Sequence, residues 1–92
     1  MITRFVKLTI ALDKVEEFTS IYSKDGHKVQ SFPGCMHLEI LKDIHDKRVF
    51  FTISKWESES HLNIYRNSDV FKNIWSSFKP LFAESAEAWS LY

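Results

Sequence analysis

The chain has 92 residues, 45% hydrophobic and 26% charged, which suits one domain over residues 1–92 with a modest core. Its 12 Lys and Arg balance its 12 Asp and Glu, so no net charge favours nucleic acid or an anionic membrane as a partner. The single cysteine, Cys35, excludes an internal disulfide. Without a long apolar stretch or a signal-peptide pattern, the chain is expected to be cytoplasmic and not membrane-bound.

The N-terminal segment predicts a strand followed by a helix. Alternation from Ile2 to Leu12 is typical of a strand, and its even-numbered residues share one face. Asp13, with Glu16 three positions later, resembles a capping box and predicts a helix that starts there.

This first helix is amphipathic and ends at a turn. Phe32-Pro33-Gly34 ends it, and Gly26 inside it indicates a bend or a close approach, because Gly costs about 1 kcal/mol relative to Ala in a helix. Apolar residues recur along it with a period near 3.6: Val15, Phe18, Ile21, Tyr22 and Val29.

A second strand and a hairpin follow. Residues Cys35 to Lys42 alternate, so Met36, Leu38 and Ile40 are expected on one face and Cys35, His37, Glu39 and Leu41 on the other. The polar run from Asp43 to Lys47 predicts a connection into the next strand.

The third strand, from Arg48 to Trp56, is apolar on both of its sides. Val49, Phe51 and Ile53 point one way, and Phe50, Thr52, Ser54 and Trp56 point the other way. The helices of so short a chain cover only one face of a sheet. We therefore predict that a second copy of the sheet covers the other face, which makes the protein a homodimer.

The C-terminal part predicts more helix and a last strand. Ser58 starts a short helical stretch, Asn67-Ser68-Asp69 caps a longer one, and Ala86 to Tyr92 alternates as a strand. The longer helix carries the apolar stripe Val70, Phe71, Ile74, Trp75, Phe78, Leu81 and Phe82. The resulting β-α-β-β-α-β order is the ferredoxin-like α+β arrangement, an antiparallel sheet with its helices on one face.

Three short motifs carry a resemblance to a known family. Phe32-Pro33-Gly34-Cys35, Lys55-Trp56-Glu57-Ser58 and Asn67-Ser68-Asp69-Val70-Phe71-Lys72 resemble the antibiotic-biosynthesis monooxygenase (ABM) superfamily in sequence and spacing. The likeness covers essentially the whole domain. It implies a dimeric α+β barrel in which two sheets pack face to face, with a pocket between sheet and helices in each subunit.

The resemblance also implies a substrate site. Its members include cofactor-free oxygenases that act on quinol-like or polyketide aromatic substrates, so the expected substrate is a small aromatic molecule and the expected cofactor is none. Trp56 would lie at the pocket, although an indole at a strand end is as readily a core residue. The other expected pocket residues are Ser54, Thr52, Phe50, Val6, Leu8, Trp75 and Phe78.

The polar residues of the family are largely replaced in this chain. Trp75 stands where the haem-degrading branch has its axial histidine, and an indole does not ligate iron. Ser54 stands where many oxygenases of the family have a glutamate, and Tyr65 and Val70 stand near positions that carry histidines. Of the functional residues that these two branches of the family carry, this chain retains only the tryptophan, as Trp56.

The remaining candidates for acid–base chemistry are few. His61 and Tyr65 lie one helical turn apart and could face the same cleft, as proton acceptor or donor. His37 points either to the pocket or to the dimer barrel, and Arg66 and Asn63 are further candidates. The four histidines are scattered, so no metal site is predicted.

Three functions follow in order of preference. The first is a cofactor-independent monooxygenase acting on a small aromatic or quinol-like substrate. The alternative is a non-catalytic dimeric module that binds an apolar small molecule in the same pocket. Haem degradation is third, because another histidine would have to replace the ligand lost at Trp75.

Overall fold

The computed structural model describes all 92 residues and forms a four-stranded antiparallel sheet with order β2-β3-β1-β4. The elements are β1 (Ile2–Thr9), α1 (Val15–Gln30), β2 (Cys35–Lys42), β3 (Val49–Trp56), α2 (Glu59–Arg66), α3 (Asp69–Phe78) and β4 (Glu87–Leu91). Short 3-10 turns precede α1 and follow α3. The ferredoxin-like α+β prediction is confirmed. No helix has both the length and the apolar character that a membrane crossing requires.

The core lies between the sheet and the helices. Cross-strand pairing of Arg4 with Ser54 and of Leu8 with Phe50 puts the even-numbered residues of β1 and β3 on the same, helix-facing side. Phe18 of α1 is fully buried there, with its ring 4.8 Å from both Phe50 and Phe78. Alternation in the two central strands therefore decides which side chains enter the core.

The other side of the sheet is apolar and uncovered in the single chain. Phe5 stacks on Phe51 with ring centroids 5.3 Å apart and lies 5.9 Å from Trp89. Trp89 is 43% exposed and Leu41 48% exposed. We call this the outer sheet face; its apolar residues are Phe5, Leu41, Val49, Phe51, Ile53, Trp89 and Leu91. The prediction of a two-sided apolar strand is confirmed.

One face assignment from the sequence is wrong in β2. A bulge between Cys35 and His37 shifts the register, so that Cys35 pairs with Trp56 while Leu38 pairs with Ser54. Cys35 therefore shares the helix-facing side with Leu38, whereas simple alternation predicted the side of His37. An extra residue in one strand breaks the period of two without a clear mark in the sequence.

The helix starts agree with the sequence in two places and differ in one. Ser58 and Ser68 cap α2 and α3, each accepting a backbone N–H three residues on, at 3.2 Å. Asp13 is not the cap of α1, because it lies within the preceding 3-10 turn and no side chain caps that helix. The helix also runs through Gly26 without a break.

Candidate functional site

A cavity of about 320 Å³ lies between the helix-facing side of the sheet and the helices. This volume falls at the lower end of the range for small-molecule sites. Its walls are mostly apolar and aromatic, with Val6, Leu8, Leu38, Phe71, Trp75 and Phe78 among them. Such walls favour a flat, apolar ligand body.

Polar side chains from distant parts of the chain converge on this cavity. Its cationic residues are Arg4, Arg66 and Lys79, and its single acidic residue is Asp25. Hydroxyl groups are contributed by Tyr22, Thr52, Ser54 and Tyr65. The sequence shows no local cluster of basic residues, but folding brings these three basic side chains to one cavity.

Arg4 is the most unusual of these groups, because it occupies an inward-facing position of β1 between the buried Ile2 and Val6. Its Nη1 donates a hydrogen bond to the Ser90 hydroxyl across 2.9 Å. Burial lowers the pKa of Arg4, and the nearby positive charge of Arg66 lowers it further. The guanidinium stays charged, and its one side-chain partner within the chain is the neutral Ser90 hydroxyl.

Tyr65 lines the cavity from α2 and is itself buried. Its ring stacks on Trp56 at 4.7 Å and meets the edges of Phe32 and Phe71 at 5.4 and 5.3 Å. Burial raises the pKa of Tyr65 above its usual range, and nearby Cys35 adds to the effect. The side chain is therefore a neutral phenol, which can donate a hydrogen bond to a ligand but is a poor proton acceptor.

Trp56 lies beneath the cavity wall and not in it. The side chain is 0% exposed, and its Nε1 donates to the Ser54 hydroxyl across 2.9 Å. Ser54 and Tyr65, which both contact it, line the cavity in its place. Of the two readings of Trp56, the structure supports the core residue. Phe50 is likewise buried against Phe18 and outside the lining.

His61 and Tyr65 do not share the cavity, although they are one turn apart. His61 Nδ1 lies 2.7 Å from the Ser58 hydroxyl and Nε2 lies 3.8 Å from a Glu57 carboxylate oxygen. The same hydroxyl accepts the His61 backbone N–H as the cap of α2. Capping and packing against Gly34 hold this histidine at the surface, outside the lining.

His37 lies on the outer sheet face and outside the lining of the cavity. It pairs with Lys55 in the register, and its Nε2 is 3.6 Å from a Glu39 carboxylate oxygen. Of the thirteen candidate site residues, eight line the cavity: Val6, Leu8, Thr52, Ser54, Tyr65, Arg66, Trp75 and Phe78.

The sequence reasoning missed several cavity residues. Arg4, Tyr22, Asp25 and Lys79 line it without having been predicted, whereas Arg66 was a candidate. The signal for Arg4 was present, since a charged residue at an inward-facing strand position is uncommon unless it has a partner or a ligand. No group of three or more His, Cys, Asp or Glu side chains is placed to hold a metal ion.

Fold and cavity define an α+β domain with a ligand-sized site between sheet and helices, and sequence comparison assigns its family. The antibiotic biosynthesis monooxygenase family profile matches residues 1–75, that is, from β1 into α3. The chain therefore belongs to the antibiotic biosynthesis monooxygenase family, which confirms the resemblance. No curated protein matches the chain.

Solved structures show the same fold at low sequence identity. A Nitrosomonas europaea protein assigned to the antibiotic biosynthesis monooxygenases is 16% identical, with TM-score 0.92, covering 100% of this chain and 97% of that one. A Caulobacter crescentus protein with the same assignment is 21% identical, with TM-score 0.91 and coverage of 98% and 86%. A conserved Methanosarcina mazei protein is 20% identical, with TM-score 0.90 and coverage of 98% and 90%.

Proposed function

We propose that this domain is a cofactor-independent monooxygenase that oxidises a small aromatic, quinol-like substrate in the cavity. The observation that carries the proposal is an apolar, aromatic-walled cavity whose polar groups are mainly hydrogen-bond donors. Such donors stabilise the phenolate or enolate that reacts with oxygen. Membership of the monooxygenase family supports the same reaction class.

The reaction needs no external reductant. Loss of a proton from a phenol or an activated methylene gives an electron-rich anion, which transfers electrons to O2. For a methylene group the overall change is CH2 plus O2 to C=O plus water, so the substrate supplies all four electrons. The protein has to hold the anion, keep it dry and accept one proton.

Each cavity group has a role in this proposal. Tyr65, kept neutral by burial, donates a hydrogen bond to the substrate oxygen as negative charge develops. Trp75, Phe78 and Val6 hold the ring, while the hydroxyls of Thr52 and Ser54 complete the polar contacts. Asp25 is the one carboxylate at the cavity and the candidate proton acceptor. His61 has no part in it.

We further propose that two chains associate through their outer sheet faces, as the sequence predicts. The uncovered aromatic cluster around Phe5, Phe51 and Trp89 supports this, because a face of this kind is stabilised by excluding water. Two-fold pairing of identical faces forms the dimeric barrel. His37 would then lie within the interface and away from the substrate.

Oxygen uptake tests the enzymatic proposal directly. The purified protein is incubated with a panel of quinols and anthrones, and we expect uptake above the no-protein rate for at least one of them. Tyr65→Phe should lower kcat/KM at least about ten-fold, as expected for loss of a donor to developing charge. The control Asn63→Ala changes an exposed residue of the same helix and should have no effect. Uptake equal to the no-protein rate across the panel contradicts the proposal.

One observation favours a non-catalytic binding module as the second candidate. No histidine lines the cavity, and its only carboxylate, Asp25, is 3.3 Å from the Lys28 ammonium. The one candidate base, Asp25, is therefore already ion-paired, which weakens it as a proton acceptor. Tight binding of an aromatic ligand without any oxygen uptake would support this candidate over the enzyme.

Haem degradation has less support from the cavity. A haem iron would need an axial ligand, and the four histidines all lie outside the lining. Tyr65 is not a substitute, because burial disfavours the phenolate that would bind iron. A haemin titration should accordingly give no Soret shift.

A further inference from the structure

Arg4 and Arg66 face the same cavity without a carboxylate partner. Neither arginine takes part in any of the ion pairs within the chain. Arg48 shows the contrast, because Asp46 holds its guanidinium through two bonds of 3.2 and 3.0 Å. Arg4 has one neutral hydroxyl, that of Ser90, instead.

The chain itself offers little negative charge to this pair of guanidinium groups. Arg4 is partly buried between Ile2 and Val6 of β1, and Arg66, which is exposed, is close enough to act on it as a second positive charge. The only acidic side chain at the cavity, Asp25, is held by Lys28. An anion between the two guanidinium groups would remove the repulsion and restore a charge-assisted hydrogen-bond network.

We propose that Arg4 and Arg66 bind a carboxylate carried by the substrate, whose aromatic body lies against Phe71, Trp75 and Phe78. A guanidinium matches a carboxylate through two parallel N–H bonds, which gives orientation as well as affinity. Ser90 positions Arg4 through its hydroxyl. The ligand class is thus an amphipathic aromatic carboxylate.

This inference takes the cavity of the proposed function as its ligand site and adds a requirement for a negative charge. An inorganic anion alone would leave the aromatic walls unused. A neutral aromatic would fill those walls and leave both guanidinium groups unpaired. Only a molecule with both parts satisfies the whole lining.

Calorimetric titration with two matched probes, naphthoate and naphthamide, tests the charge requirement. The two share the ring system and differ in the charge of the substituent. We expect wild type to bind naphthoate at least about ten-fold more tightly, as is usual for hydrogen bonds to a charged group. Arg4→Met and Arg66→Met should each remove this preference and leave naphthamide affinity within about three-fold. Lys72→Met, an exposed residue of α3 outside the cavity, is the matched control and should keep it.

A second measurement uses the wild-type protein alone and does not depend on folding of a variant. Added sodium chloride should weaken naphthoate binding and leave naphthamide binding unchanged, because salt screens the charge contact. Equal binding of the two probes, binding of neither, or equal loss of both in the arginine variants would overturn the inference.

Oxygen uptake separates this inference from the proposed function. If neutral quinols are oxidised while naphthoate has no advantage, the charge requirement is wrong and the monooxygenase stands. If naphthoate is preferred through Arg4 and Arg66 but no aromatic substrate consumes oxygen, the anion site stands and the enzymatic proposal fails.

Discussion

The hydrogen bond from Trp56 to Ser54 connects the core to the cavity and gives the most quantitative prediction. The indole is 0% exposed, and its Nε1 lies 2.9 Å from the Ser54 hydroxyl. Ser54→Ala removes the one hydrogen-bond acceptor of the indole N–H. An orphaned buried donor costs about 1–3 kcal/mol. We therefore expect Ser54→Ala to lower the free energy of unfolding by about 2 kcal/mol.

A double-mutant cycle isolates that hydrogen bond from the other effects of the substitutions. Trp56→Phe removes the donor, and its own cost includes lost packing against Tyr65. In that background Ser54→Ala should cost less than about 0.5 kcal/mol, because no donor is left unpaired. The coupling free energy should thus be at least about 1.5 kcal/mol, the difference between the two values.

Urea unfolding followed by circular dichroism measures the cycle, with protein concentration held fixed because association would add to stability. Thr52→Val is the matched control. It removes a cavity hydroxyl from the same strand face without orphaning the indole, so we expect a change below about 0.5 kcal/mol. If Ser54→Ala costs the same in both backgrounds, the assignment of Trp56 as a hydrogen-bonded core residue is refuted.

Three further predictions test the turn, the outer sheet face and the buried tyrosine. Gly34 has φ of 89°, and a Cβ there would lie 2.5 Å from His61 Cβ, so Gly34→Ala should cost at least about 2 kcal/mol in urea unfolding. His61→Ala should not rescue it, since that Cβ remains; full rescue would contradict the geometry. Phe51→Arg is present on both subunits of a symmetric dimer, so it should weaken association by about 3–6 kcal/mol and give monomers in light scattering. A wild-type monomer at micromolar concentration would instead count against the dimer. Burial raises the pKa of Tyr65, so the stability that its neutral form contributes is present below the unfolded value of about 10 and is lost as pH rises through the folded pKa. The urea concentration at the unfolding midpoint should therefore decrease as pH rises above about 10, and it should decrease less in Tyr65→Phe. The same dependence of the midpoint on pH in wild type and Tyr65→Phe would refute this prediction.

The sequence by itself determined the element order and the faces of the central strands. Alternation in β3 separates Phe50 from Phe51, and each lies on the side that the period of two assigns to it. Serine caps at Ser58 and Ser68 likewise mark α2 and α3 correctly. These features depend on neighbours two to four residues away, so local pattern is sufficient to predict them.

Tertiary structure alone decided which of those residues meet at the site. The bulge after Cys35 changed its face, and helix capping turned His61 away from the cavity that Tyr65 lines. Arg4 and Arg66 are far apart in the chain and come together only when α2 packs on the sheet. Local periodicity fixes the direction of a side chain, whereas its neighbours across the fold depend on register and packing, which no short stretch of sequence encodes.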